Sequence, residues 1–207
     1  MPTSIIIIDD FLDDPFAVRE VAMGLDYPPP ELLKKETYFP GRNSAQRINL
    51  RGTDEYVSQT TGVRLKGFGL NEGTSHARFR ICTASEEGKG GVHIDNSEWS
   101  GILYLNPYDQ AQGGTDFLKH KRTGLDRAPT TPEELKEQGF SNYDDVWSEI
   151  LMPDGTNPNA WELEMRVPAK FNRLVLLRPH LFHNPTPGYG TTLQDARLVY
   201  LMFFKYA

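Results

Sequence analysis

The sequence predicts a mainly β domain with flanking helices, and two patterns carry this prediction. From about residue 64 onward apolar and polar residues alternate, as they do along residues 76–83, and this is typical of half-buried strands. Residues 101–105, 171–177 and 197–206 are instead apolar on both parities. Such runs indicate strands that are buried between two layers.

The N-terminal part predicts one strand and two helices. Residues 5–8 are four isoleucines, which predict a short strand buried on both faces. Asp14 followed by Pro15 predicts a helix start, and one apolar stripe follows it at helical spacing: Val18, Val21, Ala22 and Leu25. A second short helix is predicted from Thr53, with acidic residues in its first turn and a glycine just past its end, Asp54, Glu55 and Gly62.

Residues 119–159 interrupt the strand pattern. Thr131 and Glu134 have the spacing of a capping box, which predicts a helix over residues 133–138. Ser141 is the expected cap of a further helix that continues through Ile150. Residues 161–167 alternate again and favour a strand. We therefore interpret residues 120–160 approximately as a helical insertion between strands.

Composition excludes several functional classes. The net charge of −6 and the lack of a long basic run argue against a nucleic-acid partner. The single cysteine, Cys82, excludes an internal disulfide and fits a reducing compartment. The longest apolar runs are far shorter than the roughly 20 residues of a membrane span, and the N-terminus does not resemble a signal peptide. We expect a cytoplasmic protein without a membrane partner.

The first candidate site is the pair His93 and Asp95. Side chains two residues apart on an extended segment share one face, so an imidazole and a carboxylate at this spacing can bind the same metal ion. The pair is weak when considered alone. For the pair alone, a surface histidine beside a carboxylate in a turn is the preferred explanation.

Further candidates lie downstream, where an apolar strand leads into His180 and His183. Arg197 follows after a turn rich in proline and glycine, 14 residues beyond His183, and opens the last apolar strand. Two histidines and one carboxylate form a facial triad that leaves metal positions open. Either His180 or His183 could complete it.

This order of motifs resembles the Fe(II)- and 2-oxoglutarate-dependent oxygenases of the prolyl-hydroxylase-like type. Their signature is His-x-Asp, a distant histidine and then an arginine. Three further segments are similar to this family, or to a small uncharacterised subgroup of it: residues 102–106 with Tyr104, residues 113–117 with their glycine pair, and residues 172–176. The resemblance covers approximately residues 76–206, without the insertion.

The resemblance implies a double-stranded β-helix, that is, a jelly-roll or cupin-like fold. It also implies that His93, Asp95 and His183 bind Fe(II), because the family's ligand follows a pair such as Leu181-Phe182, which leaves His180 at the rim. Arg197 and Tyr104 would bind the far carboxylate of 2-oxoglutarate. The other expected reactants are O2 and, as a possible stimulant, ascorbate.

The expected reaction is hydroxylation, desaturation or cyclisation of a small molecule, amino acid or peptide, with release of succinate and CO2. Rival interpretations are a metal-dependent hydrolase or isomerase of jelly-roll fold, and a non-catalytic binding module. Arg197 argues against a hydrolase, which has no dicarboxylate to anchor. Its structural alternative is an ion pair with Asp195 or Asp116.

We expect a single oxygenase domain over residues 1–207, in a monomer or homodimer. Residues 1–65 would hold the N-terminal strand and helices, and residues 66–207 the jelly-roll core. The resemblance implies that the insertion lies at the mouth of the site, where we expect a lid or a substrate-selecting element. The remaining polar residues have simpler explanations: Arg78 and Arg80 should lie on a solvated strand face, and His76 and His120 should be ordinary surface or hydrogen-bonded histidines.

Overall fold

The computed structural model describes residues 4–29, 39–69, 72–88 and 90–207. Its strands make up two antiparallel sheets. In chain order the strands are β1 (Ile5–Ile8), β2 (Arg42–Asn43), β3 (Leu65–Gly67), β4 (Arg78–Cys82), β5 (Trp99–Tyr104), β6 (Gly114–His120), β7 (Trp161–Pro168), β8 (Leu174–Leu177), β9 (His183–Pro185) and β10 (Arg197–Tyr206).

The larger sheet has the strand order β1-β8-β5-β10-β4-β2, and β3 pairs with the end of β10. The smaller sheet has the order β7-β6-β9. Apolar side chains from both sheets meet in one cluster, for example Val199 of the larger sheet and Phe117 of the smaller. The two sheets thus face each other in a double-stranded β-helix, which confirms the predicted fold class.

Two helices cover the outer face of the larger sheet. They are α1 (Pro15–Met23) and α2 (Thr53–Thr61), and they pack on sheet residues such as Phe79 and Leu198. Asp14 caps α1 by accepting a hydrogen bond from the Ala17 N–H, so the predicted helix start is correct. None of the helices among the described residues has the length and apolar run needed to cross a bilayer.

Some N-terminal details differ from the predictions. Val21 of the predicted apolar stripe is exposed, because the helix rests on the sheet over a narrower strip. The residue that caps α2 is Gly52, and Thr53 is its first helical residue, whereas Gly62 ends the helix in the left-handed conformation as predicted. Strand β1 lies at the edge of the larger sheet, so Ile7 is 48% exposed and the strand is not buried on both faces.

The segment between β6 and β7 is mainly helical. It holds α3 (Pro132–Glu137), α4 (Tyr143–Val146), a π-helical turn over Trp147–Leu151 and α5 (Met152–Asp154). Thr131 caps α3 by accepting from the Glu134 N–H, as predicted. The cap of α4 is Asn142 in place of Ser141, because the Asn142 side chain accepts from the Asp144 N–H.

This helical segment has an apolar core of its own, which includes Phe140, Val146 and Ile150. Val92 and Ile94, the residues on either side of His93, also belong to that cluster. The Val92 N–H donates to the Gly155 carbonyl at 2.8 Å. The insertion therefore supports the backbone of the His-x-Asp segment from behind.

The Ile150 side chain is fully buried in this second core. We expect Ile150→Ala to lower the free energy of unfolding by about 2–5 kcal/mol, because the residual cavity adds to the lost transfer energy. Met152→Ala is the matched control, since that side chain is 65% exposed, and its effect should stay within about 0.5 kcal/mol. Urea unfolding measures both. Equal effects would contradict this description of the insertion's core.

Candidate metal centre

His93 and His183 are joined through their backbones. The His93 N–H donates to the His183 carbonyl at 3.0 Å, and the His183 N–H donates back to the His93 carbonyl at 3.1 Å. The Asp95 N–H donates to the Pro179 carbonyl at 3.0 Å. Three backbone hydrogen bonds thus fix the His-x-Asp segment against the segment that leads into β9.

The side chains of His93, Asp95 and His183 converge on one point. Each offers one potential ligand atom, and these atoms all lie within 4.8 Å of one another. The Asp95 carboxylate is 3.8 Å from His93 Nε2 and 3.4 Å from His183 Nε2. His183, and not His180, is therefore the histidine that lies beside the His-x-Asp pair.

Both imidazoles are oriented by a backbone carbonyl. His93 Nδ1 is 2.9 Å from the Gly91 carbonyl, and His183 Nδ1 is 2.8 Å from the Leu181 carbonyl. A carbonyl oxygen only accepts, so each Nδ1 carries the proton and donates it. Each Nε2 is then directed at the shared point, and this is how metal-binding histidines are usually oriented.

Burial and mutual charge set the protonation of the three groups. Burial, and next the neighbouring His183, lower the pKa of His93 to about 4. Burial alone would raise the pKa of Asp95, but the two histidines and the Ser100 hydroxyl outweigh it and hold that pKa at about 2. Burial likewise acts to lower the pKa of His183, yet Asp95 outweighs it and raises the pKa. An ionised carboxylate between two imidazoles is a strong cation site.

The Ser100 hydroxyl donates to Asp95 Oδ2 at 2.6 Å. Ser100 is the second residue of β5, and its side chain lies on the same face as that of Ile102. Ser100 is not among the site residues predicted from the sequence. Its position on the same strand face as Tyr104, which was predicted to face inward, could have identified it.

Arg197 is the first residue of β10, and its side chain faces the same interior as Val199, Leu201 and Phe203, as predicted. The residue is only 5% exposed, and its Nε has no hydrogen-bond partner among the described residues. Neither expected acidic partner pairs with it.

Those acidic partners are engaged elsewhere. Asp195 accepts from the backbone of Thr191 and Thr192. Asp116 forms a two-point ion pair with Arg166, at 2.5 and 2.8 Å. The alternative prediction, that Arg197 forms an ion pair with Asp195 or Asp116, is therefore wrong for both carboxylates. Within the part of the chain that the structure describes, no carboxylate pairs with this buried guanidinium, and an anion from outside the chain would satisfy it.

The three converging residues and Arg197 line one cavity of about 140 Å³. Both sheets contribute to its walls. Its further lining residues are Phe39, Ser75, Arg80, Ser100, Gly101, Ile102, Thr115, Pro185, Val199, Leu201 and Phe203. No described residue of the 120–160 insertion lines it, and the insertion packs behind the His-x-Asp segment, so the cavity lining gives no support to the expected lid.

Arg80 also differs from its prediction. Its side chain lines the cavity and is covered by residues 39–43, to which its guanidinium donates hydrogen bonds, and not by solvent. Burial lowers the pKa of Arg80 to about 10, and the nearby Arg197 contributes in the same direction. Arg78 remains partly exposed and bonds the carbonyls of Ser44 and Ala45.

Tyr104 lies deeper than the cavity surface. Its hydroxyl is 2.6 Å from the hydroxyl of Thr115, which does line the cavity. Burial raises the pKa of Tyr104, and Arg197 acts in the opposite direction, so the phenol lies within the electrostatic reach of that guanidinium. Thr115 is a second polar lining residue that the sequence analysis did not single out.

The remaining histidines lie outside the converging group. His120 is fully buried and bonds Asp154 at 3.0 Å and Thr123 at 2.9 Å. His76 Nδ1 accepts from the Phe203 N–H. Both fit the prediction that they are hydrogen-bonded histidines, although neither is at the surface.

Comparison with known structures identifies proteins of similar fold. The chain aligns over 99% of its length, and over 84% of the other chain, with HygX from Streptomyces hygroscopicus, whose structure holds nickel, 2-oxoglutarate and hygromycin B; the identity is 12% and the TM-score is 0.54. The dioxygenase TqaL, described as Fe(II)/(alpha)ketoglutarate-dependent, aligns over 99% and 83% of the two chains, with 14% identity and a TM-score of 0.45. The likeness to HygX supports the assignment of the jelly-roll fold.

The chain belongs to DUF6445, a family of unknown function. The model of this family matches residues 2–196. No protein with curated annotation matches it.

Proposed function

We propose that this protein is a dioxygenase that depends on Fe(II) and 2-oxoglutarate. The single observation that carries the proposal is the buried guanidinium of Arg197, which lines the same small cavity as the converging His93, Asp95 and His183. A metal site of a hydrolase requires no such group. A dicarboxylate that chelates the metal and extends away from it would satisfy both ends of the cavity.

The three converging side chains are suitable ligands for Fe(II). Two imidazoles and one carboxylate are the ligands that non-haem Fe(II) oxygenases use, and they leave coordination positions open. His93, Asp95 and His183 would hold the ion, with Ser100 keeping the carboxylate in place through its hydrogen bond. Hydrogen bonds to a metal ligand hold it in orientation and tune the metal site.

Iron with 2-oxoglutarate supplies oxidative chemistry that uses O2, releases succinate and CO2, and modifies an unactivated C–H bond. The protein supplies orientation and shielding. Arg197 would bind the far carboxylate through its planar fork, which stays charged at any physiological pH. Thr115 lies next to this end of the cavity, with Tyr104 bonded behind it. Apolar residues such as Ile102 and Val199 exclude water from the rest of the interior.

The cavity of about 140 Å³ is small compared with the roughly 300–1,000 Å³ of pockets for drug-sized ligands. It suits the cosubstrate alone, so the primary substrate would approach at the opening. We propose a small molecule, amino acid or peptide, hydroxylated, desaturated or cyclised. Halogenation is not expected, because Asp95 occupies the position that a halide ligand needs. The narrower assignment to the prolyl-hydroxylase-like type, and the roles of O2 and ascorbate, belong to this proposal.

The metal ligands are tested by metal content. After equilibrium dialysis against Co(II), we expect His183→Ala to lose most of the bound metal, because one of three ligands is missing. His180→Ala should retain it, since that side chain lies outside the converging group. Elemental analysis of the folded variants measures both. The opposite outcome would assign the third ligand to His180.

The role of Arg197 in binding the far carboxylate is tested by the affinity for 2-oxoglutarate. Arg197→Met would leave the far carboxylate desolvated and unpaired, which costs about 2–5 kcal/mol, so the affinity of the Co(II)-loaded protein should fall roughly thirtyfold or more. Tyr104→Phe should cost less, about 0.5–1.5 kcal/mol. Isothermal titration calorimetry measures these affinities.

Arg166→Met provides the matched control, because Arg166 is a partly exposed arginine paired with Asp116. Its affinity for 2-oxoglutarate should equal that of the parent. A folded, metal-loaded Arg197→Met protein that binds 2-oxoglutarate like the parent would overturn the proposed function.

A further inference from the structure

A second arginine lines the same cavity, and its position raises the question of whether it binds a second anion. Arg80 on β4 faces the interior two strand positions from Arg78. With Arg197 it places two guanidinium groups in a cavity whose described lining contains one carboxylate, Asp95. By charge alone, a further anionic group of a substrate would be attracted here.

The hydrogen bonds of Arg80 argue for another role. Its Nε donates to the Pro40 carbonyl at 3.0 Å, and its Nη2 donates to the Phe39 and Pro40 carbonyls at 2.5 and 2.7 Å. Its Nη1 donates to Asn43 Oδ1 at 2.8 Å. Four of its five N–H groups are therefore already committed to residues 39–43. Binding an anion would require breaking these bonds.

Two glycines fix the same segment. Gly41 has a φ of +90°, and a Cβ there would lie 2.2 Å from the Ile81 carbonyl oxygen. A Cβ on Gly88 would lie 2.4 Å from the Pro40 nitrogen. Only glycine allows the chain to approach so closely at these positions. The segment is thus closely packed against β4 and against the loop that leads to the His-x-Asp pair.

The segment brings Phe39 onto the candidate metal centre. The Phe39 and His93 rings lie 4.4 Å apart between centroids, at an angle of 47°. Phe39 is partly exposed and lines the cavity, so it lies where the cavity lining meets the surface. Asn43 extends the connection by donating to the hydroxyl of Ser75, another lining residue.

We propose that residues 39–43 form the substrate-side wall of the cavity, with Phe39 as its contact residue and Arg80 as the positioning residue that holds it. This inference rests on the proposed function, because only an enzyme with that function would bind a primary substrate at this cavity. It assigns Arg80 a structural task at the site and leaves Arg197 as the anion-binding arginine. The primary substrate then meets an aromatic ring and backbone at this wall, and not a second cation.

The Phe39→Trp variant provides a fluorescent reporter for this test. The parent protein, measured in parallel, gives the emission of the three native tryptophans, which is subtracted. Loading with Co(II) should quench Trp emission at position 39, because the ring lies beside a metal ligand. Adding Arg80→Gln should weaken this quenching and increase quenching by acrylamide, since the wall is released. Adding Arg78→Gln, the matched control on the same strand, should change neither quantity.

A second measurement separates the wall from an anion site. Arg80→Gln, in the otherwise unmodified Co(II)-loaded protein, should retain most of the affinity for 2-oxoglutarate, because its guanidinium bonds residues 39–43, whereas Arg197→Met should lose roughly thirtyfold or more. Loss of 2-oxoglutarate binding in Arg80→Gln equal to that in Arg197→Met, or unchanged Co(II) and acrylamide quenching in the Arg80→Gln reporter, would overturn the proposal. If the parent bound neither Co(II) nor 2-oxoglutarate, the proposed function would fail. The acrylamide comparison would still decide the placement of the wall.

Discussion

The candidate site depends on the two reciprocal backbone hydrogen bonds between His93 and His183. They join segments that lie 90 residues apart in the chain, and they do so at the residues whose side chains converge. With both backbones fixed, each Nδ1–H donates to a carbonyl two residues earlier, and each Nε2 is left free to point at Asp95. The geometry of the imidazoles is therefore set by the main chain before any ion is considered.

The rest of the fold supports this junction from two sides. The helical insertion packs its apolar core against Val92 and Ile94, so the residues that alternate with the site residues are buried on the opposite side. From the larger sheet, β10 contributes Arg197 and three apolar side chains to the lining of the same cavity. The attraction between the Arg197 guanidinium and an anion is stronger there than in water, because the local dielectric is lower.

Much of this arrangement was predictable from the sequence because strand periodicity directly reports which side chains share a face. The parity of β10 correctly predicted Arg197 on one face with Val199, Leu201 and Phe203. Periodicity does not report what covers a face. For that reason periodicity places Arg80 on a solvated face, although residues 39–43 cover it, and gives no sign that the core of the insertion packs behind the His-x-Asp segment. Ser100, Thr115 and Phe39 act through contacts between segments distant in the chain, which local patterns do not encode.

We propose that one cavity binds a metal ion and a dicarboxylate together. A calorimetric titration of 2-oxoglutarate into the unmodified protein, once without metal and once loaded with Co(II), tests this proposal. We expect clear binding to the loaded protein and much weaker binding without metal, because the metal and Arg197 would both contribute to binding. Equal binding in both states, or no binding to the folded, metal-loaded protein, would contradict it.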